Sequence, residues 1–256
     1  MLGPARNRLA DRHTLVHVRE PKVLHFPVHE TAPVSKCHLL LRTALFQLLE
    51  LELGGRAAVG SNQFVYWNAR DPGRRLAPDV FVHTGQPDCV FDSWKIWESG
   101  APQLAVEIVS ESDASQSEWE RKIERYQEAG FEEVVRFDPF AAQGARLRIW
   151  DRMEGDLVER VVRGDRSPCD TLSLWWVVRE DSALGCELWL ARDEEGAQLL
   201  PSPEARSEAR GEARGEARGE ARGHGRGVQD AARKLLASGM TREQVAALLG
   251  LEPSSF

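Results

Sequence analysis

Between Cys37 and Leu53 apolar residues return every third or fourth position, with Leu41, Leu45 and Leu48 on one stripe, and Gly54-Gly55 follow directly. That period and that stop predict a helix. Downstream the period shortens. The runs "AAVGSNQFVYW", "DVFVH", "LAVEIVS" and "EVVRFDP" are short, rich in β-branched and aromatic residues and bounded by polar turns, which predicts strands. Between the third and fourth lies "SEWERKIERYQEAG". Ser115 and Glu118 fit an S-x-x-E capping box and Gly130 supplies a stop, so a second helix is expected there. "ARLRIWDRMEGDLVERVVRG" reads as a hairpin turning near Glu154-Gly155-Asp156. Helix, strands, helix and strands around one core predict an α/β fold, a mixed sheet flanked by helices.

The pattern divides the chain into three. Residues 1–200 hold all eight tryptophans and form the expected globular domain. Residues 201–227 are a four-residue Glu-Ala-Arg-Gly repeat, and residues 228–256 are expected to form a short helical hairpin. In a helix the repeat would stack Glu208 on Glu212 and Arg210 on Arg214, like charge on like charge. Each glycine would cost about 1 kcal/mol relative to alanine. A flexible linker is therefore expected. Thr241 and Gln244 fit a capping box that opens the last helix. With "ARKLLASG" this makes the first half of a helix-turn-helix, but the sequence stops at Phe256, where a recognition helix would begin. The expectation is a packing or self-association element rather than a DNA reader.

Composition narrows the class. With 256 residues, 42% of them hydrophobic, there is enough apolar surface for one substantial core. The net charge of −7 is not the broad basic footprint of a nucleic-acid binder, although it leaves room for a local basic cleft. Cys37, Cys89, Cys169 and Cys186 form no CxxC pair, so buried free thiols in a reducing compartment are expected. The histidines show no metal-ligand spacing. No apolar run approaches the roughly 18 residues of a membrane span, and the N-terminal stretch lacks the apolar core of a signal peptide. A cytoplasmic location without a membrane partner is expected.

Candidate chemistry lies on two strands. Alternation puts Glu107 on one face with Ala105 and Val109, and Asp79 on one face with Phe81, just after Pro78. Two strands of one sheet would bring Asp79 and Glu107 together. At about 4 Å their repulsion would be on the order of 4 kcal/mol at an effective dielectric near 20. A proton, a lysine or a divalent ion must offset it. Hard cations such as Mg²⁺ take one or two carboxylates and fill the shell with water and phosphate oxygens. Lys122, sharing a helix face with Glu118 and Tyr126 at i,i+4, could reach back over the strand's end. Plainer readings stand beside these: Asp79 as a turn residue, Glu107 paired with an arginine, Lys122 on a solvated face, Tyr126 and Trp94, Trp97, Trp175 and Trp176 as packing groups. Glu52, on the stripe of the first helix, is a further candidate acid.

Taken together, "LAPDVFV", "APQLAVEIVSESD", "K…Y.EAG" and "VVRFDP" resemble the Uma-two family of restriction-endonuclease-like proteins, within the PD-(D/E)XK nuclease superfamily, from about His29 to Leu200. The resemblance implies a restriction-endonuclease-like sheet, with Asp79 and Glu107 as ligands of Mg²⁺ or Mn²⁺ and Lys122 as the cationic helper. Val109 stands where the superfamily pattern would put lysine, and the resemblance implies that the lysine has moved to position 122. Glu118 occupies the place of a family Asp, though helix capping already explains it. The implied activity is metal-dependent endonucleolytic hydrolysis of DNA phosphodiesters. The alternative is a catalytically silent nucleic-acid-binding or regulatory module that keeps the fold. A homodimer is an open assembly.

Overall fold

The computed structural model describes residues 24–27, 35–110, 115–181 and 183–252. The N-terminal segment read above for targeting, the stretch 111–114 within the family-like run, and residues 253–256 lie outside the described residues.

The predicted first helix is α1 (Lys36–Leu53). Ser35 caps it, its hydroxyl accepting the His38 N–H at 3.2 Å. Gly54 closes it in the left-handed conformation at φ 54°. Its stripe of Leu41, Leu45, Leu48 and Leu49 is buried, each full burial contributing roughly 1.5–3 kcal/mol. The run expected as one strand splits at Asn62, φ 67°, into β1 (Ala58–Gly60) and β2 (Val65–Tyr66), which join different sheets. There follow β3 (Arg75–Leu76), β4 (Val80–His83), β5 (Trp94–Lys95), the short α2 (Ile96–Ser99) and β6 (Leu104–Ile108). The second predicted helix is α3 (Gln116–Ala129), capped by Ser115 and ended by Gly130 at φ 85°. After β7 (Glu133–Phe137) comes the hairpin of β8 (Leu147–Met153) and β9 (Asp156–Arg160). It turns at Glu154 and Gly155, both with positive φ, as two-residue hairpin turns favour.

Six of these strands form the central sheet in the order β1-β4-β6-β7-β8-β9. All neighbours are antiparallel except β6 and β7. A parallel pair needs a crossover, and α3 supplies it. At the sheet's edge Gly60 opposes Phe81. A Cβ there would stand 2.2 Å from the Phe81 ring, so only glycine fits.

A meander not anticipated from the sequence, β10 (Arg166–Cys169), β11 (Leu174–Asp181) and β12 (Gly185–Ala191), forms a separate antiparallel sheet. With α1 it buries the central face made by Val80, Val82, Leu104, Val106, Val135 and Ile149. On the opposite face Phe81, Ala105, Val134 and Trp150 pack against Tyr126 and Ala129 of α3 and against the small β3-β2-β5 sheet. Buried Glu133 ties β7 to the meander, accepting hydrogen bonds from Thr171 N–H (3.0 Å) and Trp176 Nε1–H (3.2 Å).

The repeat is not a flexible linker. It lies within one helix, α4 (Pro203–Ala237), which is followed by α5 (Arg242–Leu249). Residues 207–220 and 222–227 are exposed, so packing does not hold the middle. The ends do. Ser202 caps α4, accepting Ala205 N–H at 3.1 Å, and Pro203 starts it. Arg206 donates to Leu51 O at 2.6 Å and pairs with Glu52 of α1. At the other end Ala232 is buried, as are Val245 and Ala246 of α5. Nucleation is the costly step of helix formation. With both ends fixed, Glu, Ala and Arg carry the helix across the glycines at one residue per step. The Thr241–Gln244 capping box forms as expected, with both reciprocal bonds present.

One smaller expectation changes. Only Cys169 and Cys186 are buried, Cys89 being exposed and Cys37 half-buried, and all four are free thiols. Among the described residues no helix is long and apolar enough to cross a membrane.

Candidate active site

The β4–β6 register pairs Val80 with Val106 and Phe81 with Ala105. One step further brings Asp79 opposite Glu107, on the α3 face of the sheet. Pro78 and Asp79 are held there by the β1–β2 turn: Asn62 N–H donates to Pro78 O (3.0 Å) and Ser61 Oγ to Asp79 O (2.9 Å). Asp79 Oδ2 in turn accepts Ile108 N–H at 2.8 Å. Both carboxylates are only 5% exposed. Like charges opposed across a strand pair repel, and burial strengthens the effect.

Helix α3 answers that charge. Lys122 Nζ lies 2.8 Å from Glu107 Oε2, and the Tyr126 hydroxyl donates to Oε1. Lys122 and Tyr126 are one helical turn apart, so one face of α3 delivers both. Tyr126 does pack in the core, as the plainer reading had it, and it also holds the carboxylate. Burial, chiefly, raises the Glu107 pKa to about 7. Asp79 adds to the rise, while Lys122 and Tyr126 oppose it. Burial and then the neighbouring Glu107 push the Tyr126 hydroxyl well above its ordinary range, so it remains a donor.

A cleft of about 60 Å³ opens beside this cluster, lined by Glu107, Ser115, Glu118, Trp119, Lys122 and Arg136 among others. Val109 lines it too, and Lys122 supplies an ammonium group there. Trp119 packs on Trp150, ring centroids 5.1 Å apart. The Arg136 guanidinium sits 5.4 Å from the Trp119 centroid.

Two groups on Asp79 escaped the sequence reading. His38 Nε2 is 2.8 Å and Arg42 Nη1 3.9 Å from Asp79 Oδ1. Both come from the first turns of α1, at i,i+4, where the leucine stripe gives way to polar residues at the same azimuth. That interruption was the available signal. Glu52, the further candidate acid, is at the far end of α1, paired with Arg192 (2.9 Å) and Arg206. Of the tryptophans read as packing groups, Trp94 and Trp176 are buried and Trp97 is exposed.

The donor chemistry fits a hard divalent ion: two buried carboxylates on one face, beside an open cleft able to admit water and phosphate oxygens. Among the described residues no cluster of three or more His, Cys, Asp or Glu side chains is gathered for a metal, so Asp79 and Glu107 are the pair to consider.

The family model described as "Uma2: Putative restriction endonuclease" matches residues 28–180. The crystal structure of a protein from Anabaena variabilis ATCC 29413, titled "a putative nuclease belonging to DUF820", is similar at 13% identity and a TM-score of 0.37, covering 50% of this chain and 69% of that one. No curated protein matches.

Proposed function

The chain belongs to the Uma2 family, whose model spans residues 28–180, and from that premise we propose that it is a divalent-metal-dependent endonuclease that hydrolyses phosphodiester bonds in DNA. The observation that carries the reading is the opposition of buried Asp79 and Glu107 with Lys122 on the Glu107 carboxylate. Asp79 and Glu107 would hold Mg²⁺ or Mn²⁺. Such an ion lowers the pKa of bound water and offsets charge on the nonbridging phosphate oxygens.

The chain's own groups do the rest. Ile108 N–H and the β1–β2 turn fix Asp79, so its carboxylate is presented without a search over rotamers. Tyr126 holds Glu107 in place from the core side. Lys122, on the cleft side, supplies positive charge where negative charge develops during displacement, a contribution that is largest in a partly desolvated site. Trp119 and Arg136 give the cleft an aromatic face and a cation, the pairing that stacks bases and tracks phosphates in single-stranded segments.

A second reading has its own observation. The Arg42 guanidinium lies 3.9 Å from Asp79 Oδ1 and supplies a countercharge without any metal. That favours a silent binding or regulatory module on the same fold. Plasmid incubated with the protein and Mg²⁺, Mn²⁺ or EDTA separates the two. Metal-dependent nicking, abolished by Asp79→Ala and by Glu107→Ala, is expected. No cleavage of any DNA or RNA, together with no metal binding by calorimetry, would leave the silent module.

A further inference from the structure

We propose that the chain forms a two-fold dimer through its tail. The hairpin of α4 and α5 docks on the same hairpin of a second copy, and the two α4 stems leave the contact side by side, pointing the same way. The inference is independent of the chemistry read at Asp79 and Glu107.

The hairpin is too small to close a core of its own. Ala232, Val245 and Ala246 are buried where α4 and α5 meet. Leu235, Leu236 and Leu249 stay half-buried, and Leu248 is 63% exposed. Units of this size usually need a disulfide, a metal or a partner chain, and residues 228–256 contain no cysteine. The globular domain does not reach the hairpin among the described residues. Helix rise puts Val228 about 33 Å beyond Arg206, which anchors α4 on α1. Between them residues 207–220 and 222–227 are exposed.

Charge points to a second copy as the occupant. Asp230, Glu243 and Glu252 balance Arg233, Lys234 and Arg242. Two hairpins therefore meet without the repulsion that a net charge of −7 imposes between whole chains. The hairpin also lacks the strongly basic face that would hold it on an anionic membrane. The stem supplies direction. Glu216 and Glu220 stand two positions before Arg218 and Arg222, about 200° around the helix. Ala217 precedes Val228 by three turns, within about 20° of its azimuth, and so carries the hairpin's apolar stripe back between the two charged rows. Two stems related by a two-fold axis along their length put each glutamate row against the other's arginine row, on both sides of the shared face. Antiparallel stems would put glutamate on glutamate. Flanking charges of this kind choose partner and orientation. Exposed pairs add little affinity, which is left to the hairpin. The same contact offsets the like-charge stacking that the repeat carries within one helix.

The test uses the full chain. Sedimentation equilibrium should give twice the 28.7 kDa of one copy. Leu248→Glu, at an exposed position, should weaken the dimer by ~10-fold or more. Two charge-row variants serve in case that protein loses its helix: Arg218→Glu with Arg222→Glu, and separately Glu216→Arg with Glu220→Arg. Each alone should dimerise more weakly than wild type at low salt, a difference that added salt screens. Antiparallel stems, with like rows already facing, would not show it. Mixed in equal amounts, the two variants should form the dimer of one of each, read by native mass spectrometry. A wild-type chain of single-copy mass at every soluble concentration overturns the proposal. So does a folded Leu248→Glu protein, or either row variant at low salt, that dimerises as tightly as wild type.

Discussion

Lys122 Nζ stands 2.8 Å from Glu107 Oε2, bridging helix α3 to strand β6 across the mouth of the cleft. The lysine opposes the rise that burial imposes on Glu107. Lys122→Met should therefore move Glu107 ionisation to still higher pH, seen as a carboxyl carbon titrating above about 7 in metal-free protein. On the proposed function, nicking should fall by roughly 10²–10³. A Glu107 titration that stays in place would show that the ammonium is not coupled to it.

The raised Glu107 pKa has a definite sign for stability. The folded state binds this proton more tightly than the unfolded chain, whose value is near 4.5. The contribution is thus complete below about pH 4.5 and is lost as pH rises through about 7. Urea unfolding of metal-free protein at pH 4.5, 6 and 8 should reveal that decline, and Glu107→Gln should flatten it. A divalent ion added at pH 8 should restore stability to wild type but not to the Gln variant.

Glu133 has a different job. Its carboxylate satisfies Thr171 N–H and Trp176 Nε1–H between the two sheets. Glu133→Ala orphans both donors and should destabilise by about 1–3 kcal/mol for each, measured by chemical denaturation. Glu133→Gln keeps an acceptor, so the loss should be smaller. Burial raises the Glu133 pKa, and its contribution therefore also falls as pH rises above the ordinary glutamate range.

Removing the tail should leave the rest of the fold intact. Truncation after Leu200 takes away α4 and α5 and the Arg206–Glu52 pair, while Arg192 remains on Glu52. A single cooperative melt should persist. The difference in far-ultraviolet dichroism between full and truncated chains should be that of a continuous helix, where a coil would contribute almost nothing. Gly211→Ala, Gly215→Ala and Gly219→Ala meet no neighbouring atom and should deepen the helical signal, each favouring helix by about 1 kcal/mol.

Much of this was legible in the residues, for local reasons. Strong stops and caps at Gly54, Ser115, Gly130 and Thr241 bounded the helices, and strict alternation in Leu104–Ile108 put Glu107 on the face where Asp79 also lies. The nuclease-like family followed from the same strands. What was not legible depended on distant partners. His38 and Arg42 meet Asp79 only after α1 docks, and Glu52 stood as a further candidate because a stripe does not reveal which end of a helix meets the sheet's edge. The β10–β12 meander was passed over because residues 166–191 carry apolar and charged positions without clean alternation. The repeat was read as coil from side-chain spacing and the cost of its glycines, without the anchors at Arg206 and Ala232 that nucleate its ends.

The exposed stretch of α4 has one geometric consequence. At 1.5 Å and 100° per residue, each four-residue repeat carries the terminal pair about 6 Å farther out and swings it about 40° around the rod. Gaining or losing a single repeat would therefore alter reach and bearing together. About nine would be required before α5 pointed the same way again.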